Sequence, residues 1–230
     1  AAWLDEETCE ALTRLTEVLP GQSEPWLRLG ACLARLGRPG AHEALERALW
    51  TATDPGARRR ALLGLAELDL AAGDAARAAL WLARPGQGLV EADADLALVG
   101  LECALALGHQ DTASLLSQRL GPSELGQEAP HRLQPGRVER ALAELHLERF
   151  RKDGDPRTWG AAERAAIRAW VLEAPGADAL LARLIQTTDD AVAIGRLRRL
   201  VGEEAVTDAR LAAAFAIAEG RRSDARASLL

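Results

Sequence analysis

Residues 62–82 read LLGLAELDLAAGDAARAALWL, and residues 97–117 read ALVGLECALALGHQDTASLLS. In both, apolar or small side chains recur three and four positions apart up to a Gly, and resume after it. Leu62, Leu65, Ala66 and Asp69 to Leu70 make one such face; Leu98, Leu101, Ala104 and Leu105 make the matching one. That spacing returns side chains to one side of an α-helix. A Gly closing the run suits the left-handed conformation that ends a helix, because it has no Cβ to clash. Each stretch therefore predicts a helix, a Gly turn and a second helix folding back. β-branched residues are sparse and clean alternation is missing, so strands are not predicted.

Working outward, the same punctuation returns at Gly37, Gly73, Gly108, Gly154 and Gly220. From Gly37 to Gly73 is 36 residues, and from Gly73 to Gly108 is 35. From Gly108 to Gly154 is 46, and the excess sits in the Pro- and Gly-rich stretch 121–136. From Gly154 to Gly220 is 66, room for a degenerate repeat in between. The expected fold is all-α, with five to six antiparallel helix pairs. The organisation follows: N-terminal helical repeats over 1–120, an inter-repeat loop over 121–136, and C-terminal repeats over 137–230, all in one continuous row. Paired helices approach closely only over small side chains, which assigns that contact to Gly30, Ala66, Ala78, Ala104, Ala113, Ala213 and Ala225. A lone hairpin of helices cannot bury its apolar face, so neighbours must stack on it.

The chain resembles the tetratricopeptide repeat family, whose period is roughly 34 residues. The first copy carries Pro25-Trp26, Leu29-Gly30, Leu33, Ala48 and Pro55, and the second Leu62, Leu65-Ala66, Asp69, Ala78 and Leu82. The third carries Ala97, Gly100-Leu101, Ala104, Ala113 and Ser117, and the fourth His146-Leu147, Phe150, Ala166, Trp170 and Pro175. The last carries Ala212-Ala213, Ala216, Ala225 and Leu229. The resemblance implies a right-handed α-α superhelix whose first helices line a concave, peptide-binding surface. Glu67, Glu102 and Glu148 take equivalent places on those first helices, and Glu144 lies one turn before Glu148. These four are the expected partner-binding residues. The guest is another protein, a peptide or helical segment, and carboxylates favour a basic one. The competing reading of the four is ordinary solvated Glu on helix faces.

Composition removes several other classes. Asp+Glu is 34 against 28 Lys+Arg, a net charge of −6, which argues against a nucleic-acid binder with a basic stripe. No apolar run reaches the roughly 18 residues of a membrane span. No basic start leads into an apolar stretch, which points to the cytoplasm. The Ala-, Arg-, Gly- and Leu-rich usage fits a GC-rich bacterial genome. The chain starts and stops within helix-like sequence, as expected for a fragment of a longer protein. The alternative function is therefore a regulatory or sensor arm of a larger signalling or enzymatic polypeptide.

Chemistry-bearing motifs are scarce: no phosphate-cradling Gly loop, nucleophile elbow or zinc-protease helix is present. No catalytic residue, metal ligand or cofactor is assigned, and the chain is read as not an enzyme. Three Cys with no close pair predict neither a disulfide scaffold nor a Cys-based zinc site. Cys32 and Cys103 read as small core residues, with Cys9 more exposed. Trp26, Trp50, Trp81 and Trp170 fall on apolar faces and read as core; Trp3 and Trp159, near ends or turns, read as the exposed candidates. His146 reads as a packed or half-packed histidine. The Arg clusters at 58–60, 196–199 and 221–222 read as solvated charge near acids rather than an anion site.

Overall fold

A computed structural model describes residues 2–83, 94–120, 135–188, 190–201, 211–218 and 220. It divides into two compact units, Ala1–Glu124 and Leu125–Leu230. The division falls within the 121–136 stretch. That stretch lies outside the described residues except for Pro135 and Gly136, which open a helix. Among the described residues there are helices and no strands.

Unit 1 holds α1 (Ala2–Val18), α2 (Ser23–Arg35), α3 (Ala41–Thr51), α4 (Pro55–Ala71), α5 (Ala75–Leu82), α6 (Ala94–Ala106) and α7 (Gln110–Arg119). The hairpins are α2–α3, α4–α5 and α6–α7, and each packs on the next. Their turns share one backbone device. At Gly73 the chain is left-handed (φ +83°), its N–H donates to the Leu70 carbonyl, and the Asp74 N–H reaches back to that of Asp69. Gly37 and Gly108 do the same with Ala34/Leu33 and Leu105/Ala104. Two orphan carbonyls are thus satisfied per turn; the residue after Gly73 or Gly108 is the N-cap of the second helix, whereas after Gly37 the N-cap is Gly40. Asp74 and Asp54 then cap α5 and α4, accepting from Arg77 N (3.0 Å) and Ala57 N (2.7 Å).

The central cluster of unit 1 takes Leu27 from α2, Leu45 and Leu49 from α3, Leu62 and Leu65 from α4, Trp81 and Leu82 from α5, and Val99 and Cys103 from α6. Small residues sit where helices close on each other: Ala66, Ala78 and Ala113 are fully buried, and Ala104 nearly so. An added Cβ at Gly30 would lie 2.6 Å from Leu45 Cγ.

Unit 2 holds α8 (Pro135–Asp153), α9 (Pro156–Val171), α10 (Ala177–Thr187) and α11 (Ala191–Val201), with a further helical stretch at 211–218. α8 and α9 form its principal hairpin, and α10 packs on both. Gly154 is left-handed as expected (φ +67°), and Asp155 caps α9. α10 and α11 occupy the interval where a degenerate repeat was expected. One cluster joins Leu147, Trp159, Ala166, Leu181, Ile185, Ile194, Leu197 and Phe215.

Five expectations are corrected. Gly220 is helical rather than a turn. A left-handed turn sits instead at Glu173 (φ +53°), where Glu173 N donates to Trp170 O and Ala174 N to Ala169 O. The last copy misses the buried side: the buried residues are Leu211, Ala214, Phe215 and Ala218, while Ala213 and Ala216 are exposed; Ala225 and Leu229 lie outside the described residues. Two tryptophans exchange places. Trp50, at the end of α3, is 80% exposed, whereas Trp159 is buried within the unit 2 cluster. Finally, Cys9 and Cys32 are both buried and joined in a disulfide, with Cα atoms 5.8 Å apart. They are 23 residues apart in sequence, and the antiparallel packing of α1 on α2 brings them together. Cys103 is buried and outside the disulfide.

Candidate interaction surface

The first helices of successive hairpins in unit 1 touch each other: α4 packs on α2 and on α6 as well as on its own partner. α2 buries Leu27, Leu29, Gly30 and Cys32 and turns Glu24, Arg28, Ala31 and Arg35 outward. Those four are spaced four, three and four apart, a single helix side. α4 leaves Arg60 and Ala71 exposed and Glu67 half-buried. Glu24 joins the two helices, accepting from Arg28 at 2.9 Å and from Arg60 at 3.0 Å. The Arg28 hydrogen bond, helped by the Arg60 and Arg28 charges, holds the Glu24 carboxyl below its ordinary range despite some desolvation. The side shared by α2 and α4 is thus mixed in charge, with Arg28, Arg35 and Arg60 beside Glu24 and Glu67.

The four expected contact residues divide between the units. Glu67 and Glu102 belong to unit 1, Glu144 and Glu148 to unit 2. Glu67 is half-buried, so part of it faces water. Glu102 is only 8% exposed, and this corrects its reading as an open groove contact. The reason is visible in α6 itself, ADLALVGLECALA, which is apolar nearly all round and is packed by α4, α5 and α7. Glu148 is held from within the chain, accepting from Arg151 (2.8 Å) and from Arg183 of α10 (3.0 Å). Glu144, one turn earlier on α8, is half-buried and has its own partner. Within unit 1 Glu102 is buried, and within unit 2 both Glu144 and Glu148 have partners, so neither pair is bare.

A polar cluster that sequence reasoning missed lies where α3, α4 and α5 meet. Asp69, 6% exposed, accepts from Trp81 Nε1 at 2.6 Å. Arg77 Nε lies 3.4 Å from its Oδ2 and His42 Nε2 3.4 Å from its Oδ1. His42 is also 3.1 Å from Arg77 Nη2, 3.4 Å from Glu46, and 5.9 Å from the Trp81 ring centre. A buried carboxylate is tolerated when donors of this kind surround it. The sequence signal was Asp69 itself, an acid placed on an otherwise apolar face. In unit 2 the counterpart is Glu163 of α9, 6% exposed at its side chain and gripped by Arg196 of α11 through both carboxylate oxygens.

His146 of α8 is half-buried, and its Nδ1 is buried without a partner. Desolvation, then the charges of Arg149, Arg164 and Arg168, press its pKa below the ordinary 6.5. Among the described residues no group of three or more His, Cys, Asp or Glu is arranged to hold a metal ion. No described helix is long and apolar enough to cross a membrane. Comparison with protein-family models, curated proteins and solved structures finds no match to this chain.

Proposed function

We propose that the chain is a non-enzymatic interaction scaffold whose first helices receive a helical or extended segment of a partner protein. The observation carrying this reading is the packing of α2 on α4, with Glu24 bonded to Arg60 across them, which sets exposed positions of successive hairpins next to one another. Neighbouring repeats make such a surface without any dedicated catalytic group. The mixed charge along α2 and α4 favours a partner segment that is itself mixed, with basic residues opposite Glu67 and acidic ones opposite Arg28 and Arg35. The right-handed superhelical form and tetratricopeptide kinship remain part of this reading, as does the exclusion of nucleic acid as a partner.

The test is a photo-crosslinking amino acid placed at Ala31 on α2 or Ala71 on α4, with Glu43 on the outer side of α3 as control. The full chain is expressed in its native cells and the adducts are identified by mass spectrometry. The expected result is one protein captured from both Ala31 and Ala71 and not from Glu43, with capture lost on Glu67→Lys and Arg28→Glu together. Equal labelling from all three positions overturns the reading. A captured segment belonging to the same polypeptide gives the regulatory-arm reading instead. A cytoplasmic site of action belongs to the proposal as well. It bears on the disulfide, since cytosolic thiol buffers keep most Cys pairs reduced.

A further inference from the structure

Over residues 6–18, α1 buries little apolar surface. Of residues 6–18 only Cys9 and Thr16 are buried, while Leu15 and Val18 are 40% and 74% exposed. The Thr16 hydroxyl donates within its own helix, to the Thr13 carbonyl at 2.7 Å. The central cluster of unit 1 runs from Leu27 to Cys103 and takes none of residues 6–18. The Glu6–Arg38 ion pair that also reaches α1 is about half exposed on both sides, and such pairs contribute little. Over this span α1 is tied to α2 by a covalent bond, Cys9 to Cys32. On α2, Pro25, Leu29 and Cys32 are spaced four and three apart along one side, and all three are buried.

We propose that the Cys9–Cys32 disulfide is a redox latch: reduction by a dithiol releases α1 from α2, opens the Pro25–Leu29–Cys32 side of α2, and leaves the hairpins from α4 onward folded. In the first step a reductant thiolate attacks one of the two sulfurs. The S–S bond breaks, a mixed disulfide forms, and the other Cys leaves as a thiolate that takes up a proton. The reductant's second thiol then attacks the mixed disulfide, closes its own disulfide and frees the second Cys. Two electrons and two protons pass to Cys9 and Cys32, and the dithiol is oxidised. The buried sulfurs are reached as α1 opens, which its thin packing permits. Relatching needs a disulfide-class oxidant running the same exchange in reverse.

The test compares the full 230-residue chain, oxidised and treated with a dithiol, by alkylation under denaturing conditions and by hydrogen exchange with mass spectrometry. Before reduction alkylation labels Cys103 alone, and after it all three Cys. On reduction the α1 amides exchange on the order of 100-fold faster, the loop-closure effect of a cross-link of this span, while α4 and α5 amides keep their rates. Cys9→Ala, which leaves α2 intact, reproduces fast α1 exchange without reductant. Three outcomes overturn the latch: labelling of all three Cys without reduction, α1 exchange the same in both states, or α4 and α5 losing protection together with α1.

Discussion

Replacing Gly30 by Ala tests how closely α2 and α3 approach. In a helix interior Ala is better than Gly by about 1 kcal/mol, so the isolated expectation is stabilisation. The site reverses it. The new Cβ would lie 2.6 Å from Leu45 Cγ, 2.8 Å from Leu45 Cδ2 and 3.3 Å from the Ala41 carbonyl oxygen. Leu45 is 4% exposed, and the nearest atom is its branch point, which cannot swing aside as a chain end would. Overpacking of this kind costs about 1–3 kcal/mol, so Gly30→Ala should destabilise unit 1 by about 1 kcal/mol net. Gly195 in α11 has nothing within 4 Å of its absent Cβ, so the same change there should stabilise unit 2 by up to about 1 kcal/mol. Urea denaturation of both variants, read by circular dichroism and tryptophan fluorescence at constant slope, should show midpoints moving in opposite directions. Shortening the neighbour links the effect to this contact: in a cycle with Leu45→Ala, the double variant should lose about 1 kcal/mol less than the sum of the singles. A Gly30→Ala midpoint that rises like that of Gly195→Ala would refute the close approach and the hairpin geometry built on it.

Three further outcomes are expected. Asp69→Ala leaves the Trp81 N–H and Arg77 without their buried acceptor and should destabilise unit 1 by about 2 kcal/mol, whereas Asp69→Ala with Trp81→Leu should recover part of that loss in thermal melts. His146 binds its proton more weakly folded than unfolded, so its contribution to stability is present above about pH 6.5 and is lost as the pH falls through the lowered folded pKa. The unit 2 melting temperature should therefore drop on acidification through this window, and His146→Gln should flatten that part of the profile. Glu173→Gly removes a non-Gly residue from φ +53° and should raise unit 2 stability by about 0.5–1 kcal/mol in denaturant titration.

The turns were legible because they rest on a backbone requirement that one residue type meets. Gly37, Gly73, Gly108 and Gly154 are all left-handed, and the helices on either side follow from their apolar spacing. Small contact residues were legible for a related reason, since Ala66, Ala78 and Ala113 stand at positions where a larger side chain would hold the helices apart. What sequence spacing does not give is the cover over a helix side. Trp50 falls on an apolar face and Trp159 near a turn, yet it is Trp159 that joins the unit 2 cluster and Trp50 that stays exposed. Glu102 reads as solvated from its position in the repeat and is buried because α6 is enclosed by three helices. The Cys9–Cys32 pair was hidden by an odd cysteine count and by a separation that only α1–α2 packing closes.

The Asp69 cluster shows how period and chemistry part company. Four residues before the turn Gly stand Leu33, Asp69 and Ala104 in successive hairpins; eight residues after it stand Leu45, Trp81 and Leu116. The latter three are all buried, so the period assigns the same interior place each time. In the second hairpin alone that place holds an indole whose N–H points to a carboxylate. Asp69 at this position would be an isolated buried charge in the setting of Ala104 and Leu116, and it is acceptable here because Trp81, Arg77 and His42 arrive from α5 and α3. A substitution at either member therefore has to be judged with the other. The repeat pattern alone would rank Asp69 as a defect to be replaced by Ala, when it is the acceptor joining three helices.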